Sequence, residues 1–378
     1  MDQRRLGMSD FTVGEPLPWD VYDDSNKLLL RRGHIVESAG QVAALLERGL
    51  FVNAGPTAIQ LKKDAQASKR EAPSALRIIN LVHQRLERLL YNLPNETDAQ
   101  AKVLDVAKAL RDAVDINADV AIASVLLNQE AASYAVRHCT DTALIALIVA
   151  RAMNKTQDEI QSIMSAALTM NVSMLRQQDH LENKQGPLSE KEAELIRNHA
   201  HESAEMLRQI GISDPAWLSY VQLHHENNDD SGTLGKKTRE IPQNAWLLAL
   251  ADRFCASIAN RAYRKTLLPN SALRDVLLAG GKASDPMLSA YFVKELGNYP
   301  PGTVVRLRNG EIGVVTRRVQ PRTNPIVHAF IGPRGEPFSF PLQRDTATDT
   351  FTIREAVSRQ EATVRFSMQQ LWGDTAAL

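Results

Sequence analysis

Cysteine is scarce in this chain: Cys139 and Cys255 are the only two among 378 residues. A disulfide framework is therefore not expected, and a reducing compartment is the simpler reading. An excess of one charge is missing too, with 44 basic residues against 44 acidic ones. A broad basic surface for nucleic acid is accordingly not indicated. No run approaches the roughly 18 apolar residues of a membrane span. The apolar stretch 143–152 is short and is flanked by Asp141 and Lys155. Met1-Asp2-Gln3-Arg4-Arg5 lacks the apolar core of a signal peptide. These absences point to a cytoplasmic protein with no membrane partner and no nucleic-acid partner.

The length suffices for two or three domains and a sizeable core. Residues 1–70 read as a small α+β module with a linker. Val21 to Leu30 has the pattern of a hairpin with a polar turn, and Ser38 can cap a helix running through Leu46, with Gly49 to end it. The polar stretch 54–74 reads as linker. From 75 to 297 the chain reads as helical. Leu76, Ile79, Leu86, Leu89 and Leu90 recur at helical spacing, and no glycine interrupts this region before Gly186. Thr156 with Glu159, and Ser189 with Glu192, predict two capping boxes. Residues 227–242 read as a long polar loop. After Pro300-Pro301-Gly302 the period changes. Val304–Arg308 and Glu311–Arg317 predict a hairpin turning at Asn309-Gly310, with further strands at 326–331 and 337–340. Residues 298–356 thus read as a small β-barrel-like module and 357–378 as a tail. The expected class is mainly α: a central helical bundle flanked by two small β-containing modules.

Six of the nine histidines lie between positions 138 and 225. A dispersed histidine on a helix is ordinarily a satisfied core or surface group. The adjacent His224-His225, followed by Glu226 and a loop rich in Asn, Asp and Gly, is harder to explain so. Neutral imidazole and carboxylate oxygen together suit Mn, Fe, Ni or Zn. Asp252 sits within the apolar stretch 245–259, where a charge needs a partner: a metal, an arginine or a helix cap.

Leu188-Ser189-Glu190-Lys191-Glu192 leading to Ile196-Arg197-Asn198-His199, then His224-His225-Glu226, Ala251-Asp252-Arg253-Phe254 and Arg261-Ala262-Tyr263-Arg264, resemble the HD-GYP domain in order and spacing. That domain is the cyclic di-GMP phosphodiesterase branch of the HD superfamily, and the resemblance covers roughly 80–297. Gly14 to Trp19 and Tyr299 to Leu307 resemble extensions seen beside such domains. The resemblance implies an HD-type bundle with His138, His199, His224, His225 and Asp252 as metal ligands. It also implies ligand-phosphate contact by Arg261 and Arg264, although a surface arginine pair in ion pairs is the simpler reading of those two. Asp179-His180 reads more simply as a solvated loop than as a displaced ligand pair.

The chain departs from the family where the namesake His-Asp pair should fall, which reads Met170-Asn171. Met174 stands where a lysine is common, only Gly232 survives of Gly-Tyr-Pro, and Cys255 replaces a usual aspartate. In the family the missing aspartate bridges two metals about 3.5–4 Å apart. Asparagine is neutral with one carbonyl oxygen, and methionine is a soft thioether, so neither replaces the lost ligand. Catalytic residues are therefore not expected, and the cofactor expectation is none or a single divalent metal (Mn, Fe or Ni), without a two-metal centre. The reading is a catalytically impaired or inactive signalling protein, an adaptor or cyclic-dinucleotide sensor. Its expected partners are cyclic di-GMP, a signalling protein such as a GGDEF-type protein, and a second copy of the chain. The alternative is a residual metal-dependent phosphodiesterase. RNA association through the basic strands at Arg306, Arg308, Arg317 and Arg318 ranks below a solvated-edge reading.

Overall fold

The computed structural model describes residues 3–378 apart from 8–9, 18, 37, 47–50, 54–71, 130, 183, 185, 227–240, 260–265, 280–284, 321–322 and 363. Two compact units are present, Met1–Ala72 and Pro73–Leu378. The expected linker at 54–74, the helix stop at Gly49 and nearly all of the polar loop at 227–242 lie mostly outside the described residues. So do Arg261 and Arg264.

In the first unit, β1 (Gln3–Arg5), β2 (Val21–Tyr22), β3 (Leu28–Leu30) and β4 (Phe51–Asn53) form an antiparallel sheet in the order β1-β4-β2-β3. Helix α1 (Ala39–Leu46) starts after Ser38, whose hydroxyl accepts from the Gln41 amide at 3.2 Å. Leu6, Leu17, Val21, Val36 and Val42 make a small core of their own.

The second unit is mainly helical. Its elements are α2 (Ala75–Tyr91), α3 (Ala99–Ile116), α4 (Ala118–Leu127), α5 (Tyr134–Ala152), α6 (Gln157–Thr169), α7 (Leu175–Glu182), α8 (Glu190–Gln209), α9 (Pro215–Leu223), α10 (Gln243–Ile258), α11 (Pro269–Ala279) and α12 (Pro286–Leu296). Helix α2 is amphipathic: Leu76, Ile79, Val82, Leu86, Leu89 and Leu90 recur every three or four residues and are buried. Helices α5 and α10 are buried on nearly every side, so they form the centre of the bundle. Both capping boxes form, at Thr156 with Glu159 and at Ser189 with Glu192, and they fix the starts of α6 and α8.

The C-terminal strands β5 (Val304–Leu307), β6 (Ile312–Arg317), β7 (Ile326–Ile331), β8 (Pro337–Asp345) and β9 (Ile353–Ala356) form one antiparallel sheet in the order β8-β7-β6-β5-β9. The β5–β6 loop spans Arg308, Asn309 and Gly310; the Gly310 amide donates to the Leu307 carbonyl at 2.9 Å, and Gly310 takes the left-handed position at φ +94° that a three-residue hairpin loop requires. Three of the four arginines singled out in the sequence are neutralised here. Arg306 pairs with Glu355 and Glu361, Arg308 with Asp349, and Arg318 with Asp119 of α4 and Glu295 of α12. This disposition favours the solvated-edge reading over an RNA surface. The stretch 357–378 is organised as well, with α13 (Met368–Trp372) and short 3-10 turns. The Ser74 hydroxyl, which caps α2, donates to the Ala377 carbonyl at 2.6 Å. The Trp372 indole donates to the Thr316 carbonyl of β6 at 2.7 Å.

Gly302 lets the sheet approach the bundle. Its φ is +95°, and a Cβ there would lie 3.0 Å from the Ala123 Cα and 3.1 Å from the Leu126 Cβ, both on α4. Gly302→Ala is expected to cost about 1–3 kcal/mol, through overpacking and a left-handed backbone. A lowered denaturant midpoint at unchanged m-value would register it.

Candidate functional site

Four elements bring the expected ligands together. His138 lies on α5, whose first turn is anchored from α7: Asp179 Oδ1 accepts from the Ala135 amide at 2.9 Å, and its Oδ2 accepts from the Tyr91 hydroxyl. Asp179 therefore caps a helix, and with His180 it belongs to α7, not to the solvated loop expected from the sequence. His199 lies on α8, among the buried small residues Ala200, Ser203 and Ala204. The Ser173 hydroxyl donates to the His199 carbonyl at 3.0 Å, tying the turn after α6 to α8. His224 and His225 follow α9, which Asp214 caps through the amides of Ala216 and Trp217. Asp252 lies on α10.

Two groupings result. In the first, His138 Nε2 donates to Asp252 Oδ1 at 2.7 Å, and both side chains are buried. Tyr134, four residues earlier on α5, stacks on the His138 ring at 5.4 Å. Burial pushes the Asp252 carboxyl up, but the hydrogen bond and electrostatic attraction from His138 lead the effects that outweigh it and hold the group below the ordinary carboxylate range. In the second, ligand atoms of His199, His224 and His225 all lie within 4.8 Å of one another. Burial lowers all three histidines, His199 to about 4, with the neighbouring imidazoles adding to the effect on His199 and His225.

The tautomers of the second group follow from its hydrogen bonds. His199 Nδ1 meets the Ile196 carbonyl at 2.7 Å, and His224 Nδ1 meets the Val221 carbonyl at 2.6 Å. A carbonyl only accepts, so each Nδ1 carries the proton and each Nε2 presents a lone pair. Those two Nε2 atoms face each other at 3.2 Å. Two neutral imidazoles so locked cannot hydrogen-bond to each other there. A shared cation satisfies both, so the donor set fits a divalent metal.

A cavity of about 360 Å³ joins the two groupings and is lined by His138, Asn171, His199, His225 and Asp252, among others. That volume suits a small ligand. His138 Nδ1 and Gln178 Oε1 are buried without a hydrogen-bond partner among the described residues, and both residues line the cavity. Sequence reasoning missed Tyr134, Gln178 and Arg253 as part of this wall. Only Tyr134, at i−4 from His138, and Arg253, beside Asp252, had a local signal.

The replaced pair splits. Asn171 is buried and lines the cavity, whereas Met170 is fully buried in the hydrophobic core and is not among the cavity-lining residues. By the resemblance, Met170 stands where a metal-ligating histidine of the namesake pair should fall, yet it does not reach the cavity. A thioether gains nothing from a polar cavity, and the packed interior takes it instead. Met174 does line the cavity.

Residues 119–288 match the HD domain family. A cyclic di-GMP phosphodiesterase of Pseudomonas aeruginosa is 27% identical over 57% of this chain and 53% of its own length. A Vibrio cholerae protein named "Probable cyclic di-GMP phosphodiesterase" is 30% identical over 37% of this chain and 34% of its own. A cyclic di-GMP phosphodiesterase of Thermotoga maritima is 26% identical over 42% and 44%. The chain spans about half the length of these relatives, or less. Among solved structures, an HDG"Y"P protein from Bdellovibrio bacteriovorus superimposes with a TM-score of 0.49 at 14% identity, over 77% of this chain and 98% of that one. No described helix is long and apolar enough to cross a membrane. The mainly helical fold, the HD domain match over 119–288 and the aligned relatives support an HD-GYP domain within this chain.

Proposed function

We propose that the chain is a cyclic di-GMP-responsive signalling protein whose phosphodiesterase site has lost efficient catalysis. The observation that carries this reading is Asn171 on the cavity wall beside His138, His199 and Asp252. By its resemblance to the family, this position should hold the carboxylate that bridges two metals. An amide there brings one neutral oxygen, so a second ion lacks its anionic bridge. His199, His224 and His225 are the residues that would hold a single divalent ion, with His138 and Asp252 lining the same cavity. Such an ion supplies Lewis-acid polarisation of a phosphate oxygen. The chain's own residues shield the site from water, keep the imidazoles neutral and orient the anion. A sensor of this kind acts through partners, and a GGDEF-type protein or a second copy of the chain are the classes we infer.

The experiment combines equilibrium binding of cyclic di-GMP with a hydrolysis assay, on protein reloaded anaerobically with Mn, Fe or Ni. The expected outcome is saturable binding, about one ion per chain and no turnover above background. Turnover that rises with added Mn or Fe would sink the non-catalytic reading. It would favour the second one, a residual one-metal phosphodiesterase, which rests on the geometry of the three histidines.

A further inference from the structure

Helices α7 and α8 border a second pocket. It has a volume of about 320 Å³ and is lined by Arg176, Gln177, His180, Leu181, Lys191, Glu192 and Leu195. Leu181 belongs to both pockets and forms a shared wall with the histidine cavity. Arg176, Gln177 and His180 stand at i, i+1 and i+4 on α7, and Lys191 enters from the first turn of α8.

The charges of this pocket are unbalanced. On α8, Arg197 pairs with Glu190 and Arg208 with Glu205. Glu192 is committed to Lys184 at 2.8 Å and to the Ser189 cap. Arg176 and Lys191 have no carboxylate partner among the described residues, although both project into a concave site. Two like charges that line one pocket without a carboxylate partner of their own repel each other, and an anion between them would relieve that. Leu181 and Leu195 form an apolar floor that lowers the local dielectric and strengthens any such attraction.

We infer that Arg176 and Lys191, aided by the Gln177 amide and His180, form a binding site for a phosphate group beside the histidine cavity. A guanidinium fork, an ammonium and an amide approaching from different directions suit the several oxygens of a phosphate better than the planar pair of a carboxylate. Two sources of that phosphate are compatible with the geometry. One is the far phosphate of a nucleotide whose other end faces the histidines; the other is a separate phosphate ligand. The nucleotide arm rests on the function proposed above, whereas phosphate binding does not.

The test is calorimetric titration of the whole, chelator-treated chain with inorganic pyrophosphate, and of the metal-loaded chain with cyclic di-GMP. R176Q/K191Q is compared with R176K/K191R, which keeps both charges. Both positions lie at the surface, and an unchanged thermal midpoint verifies the fold. Pyrophosphate affinity should fall about tenfold or more in R176Q/K191Q and largely return in R176K/K191R. A parallel loss for cyclic di-GMP assigns the site to the nucleotide. A loss for pyrophosphate alone assigns it to a separate phosphate ligand. Equal affinities in the parent chain and R176Q/K191Q, or no pyrophosphate binding by the parent chain, overturn the inference. Absence of cyclic di-GMP binding by the parent chain overturns the proposed function and leaves the pyrophosphate result to stand alone.

Discussion

The double variant His224→Ala/His225→Ala is expected to lose divalent-ion uptake, from about one ion per chain to about none. His199 and His224 have their Nδ1 protons fixed by the carbonyls of Ile196 and Val221. Their Nε2 lone pairs are thereby aimed at one point, 3.2 Å apart. Burial lowers His199 to about 4 and lowers His224 and His225 as well, so all three rings are neutral at pH 7. Ion binding at that pH then requires no proton to leave these rings. Outer-sphere partners of metal ligands are worth about 10–100-fold in affinity, and deleting two direct ligands should exceed that range. His224 is fully buried, so its truncation also opens a small cavity. The single variant His225→Gln, at a less buried position, guards against a folding defect. Elemental analysis after anaerobic reloading is the measurement. Unchanged uptake in a folded double variant would move the ion away from these histidines.

The parts of this site that were legible in the sequence are the local ones. The capping boxes at Thr156 and Ser189 could be read because their partners lie three residues apart. His224-His225 stood out because adjacent histidines before a polar loop have few structural explanations. The parts that were not legible depend on distant packing. Asp179 caps α5 at Ala135, 44 residues away, and no spacing rule reaches that far. Met170 and Asn171 are neighbours in sequence, yet one enters the core and the other the cavity. That division is set where α6 ends and α8 packs, not by either residue's propensity. Strand β9 is short and polar and pairs with β5 at the sheet edge, so its sequence carries little strand signal. The 3-10 turns and α13 after residue 357 draw their order from contacts with α2 and β6, which the tail's own composition does not reveal.

Acidification from pH 7 to about 4 is expected to cost the fold about 3 kcal/mol through His83 alone. His83 lies on α2, 2% exposed, and neither ring nitrogen has a hydrogen-bond partner among the described residues. Burial, helped by the Arg137 guanidinium, lowers it to about 4 from the ordinary 6.5. Arg137, which bonds the Ala132 carbonyl and the Gln129 side chain, cannot stabilise a protonated ring, because a guanidinium is itself a cation and offers no acceptor. The unfolded chain takes up a proton as pH drops below about 6.5, whereas the folded chain resists until about 4. Stability is therefore fully present above the unfolded value, declines between about 6.5 and 4, and levels off below. Other buried histidines add their own slopes, so the diagnostic is a difference between two proteins. His83→Leu removes a desolvated imidazole without orphaning any hydrogen-bond partner. It should match or exceed the parent chain's stability at pH 7 and pull ahead by about 3 kcal/mol at pH 4. Denaturant titrations at the two pH values supply the comparison. Parallel pH profiles for the parent chain and His83→Leu would mean that the imidazole finds a proton acceptor in the folded chain, and the account of an unpartnered His83 would fall.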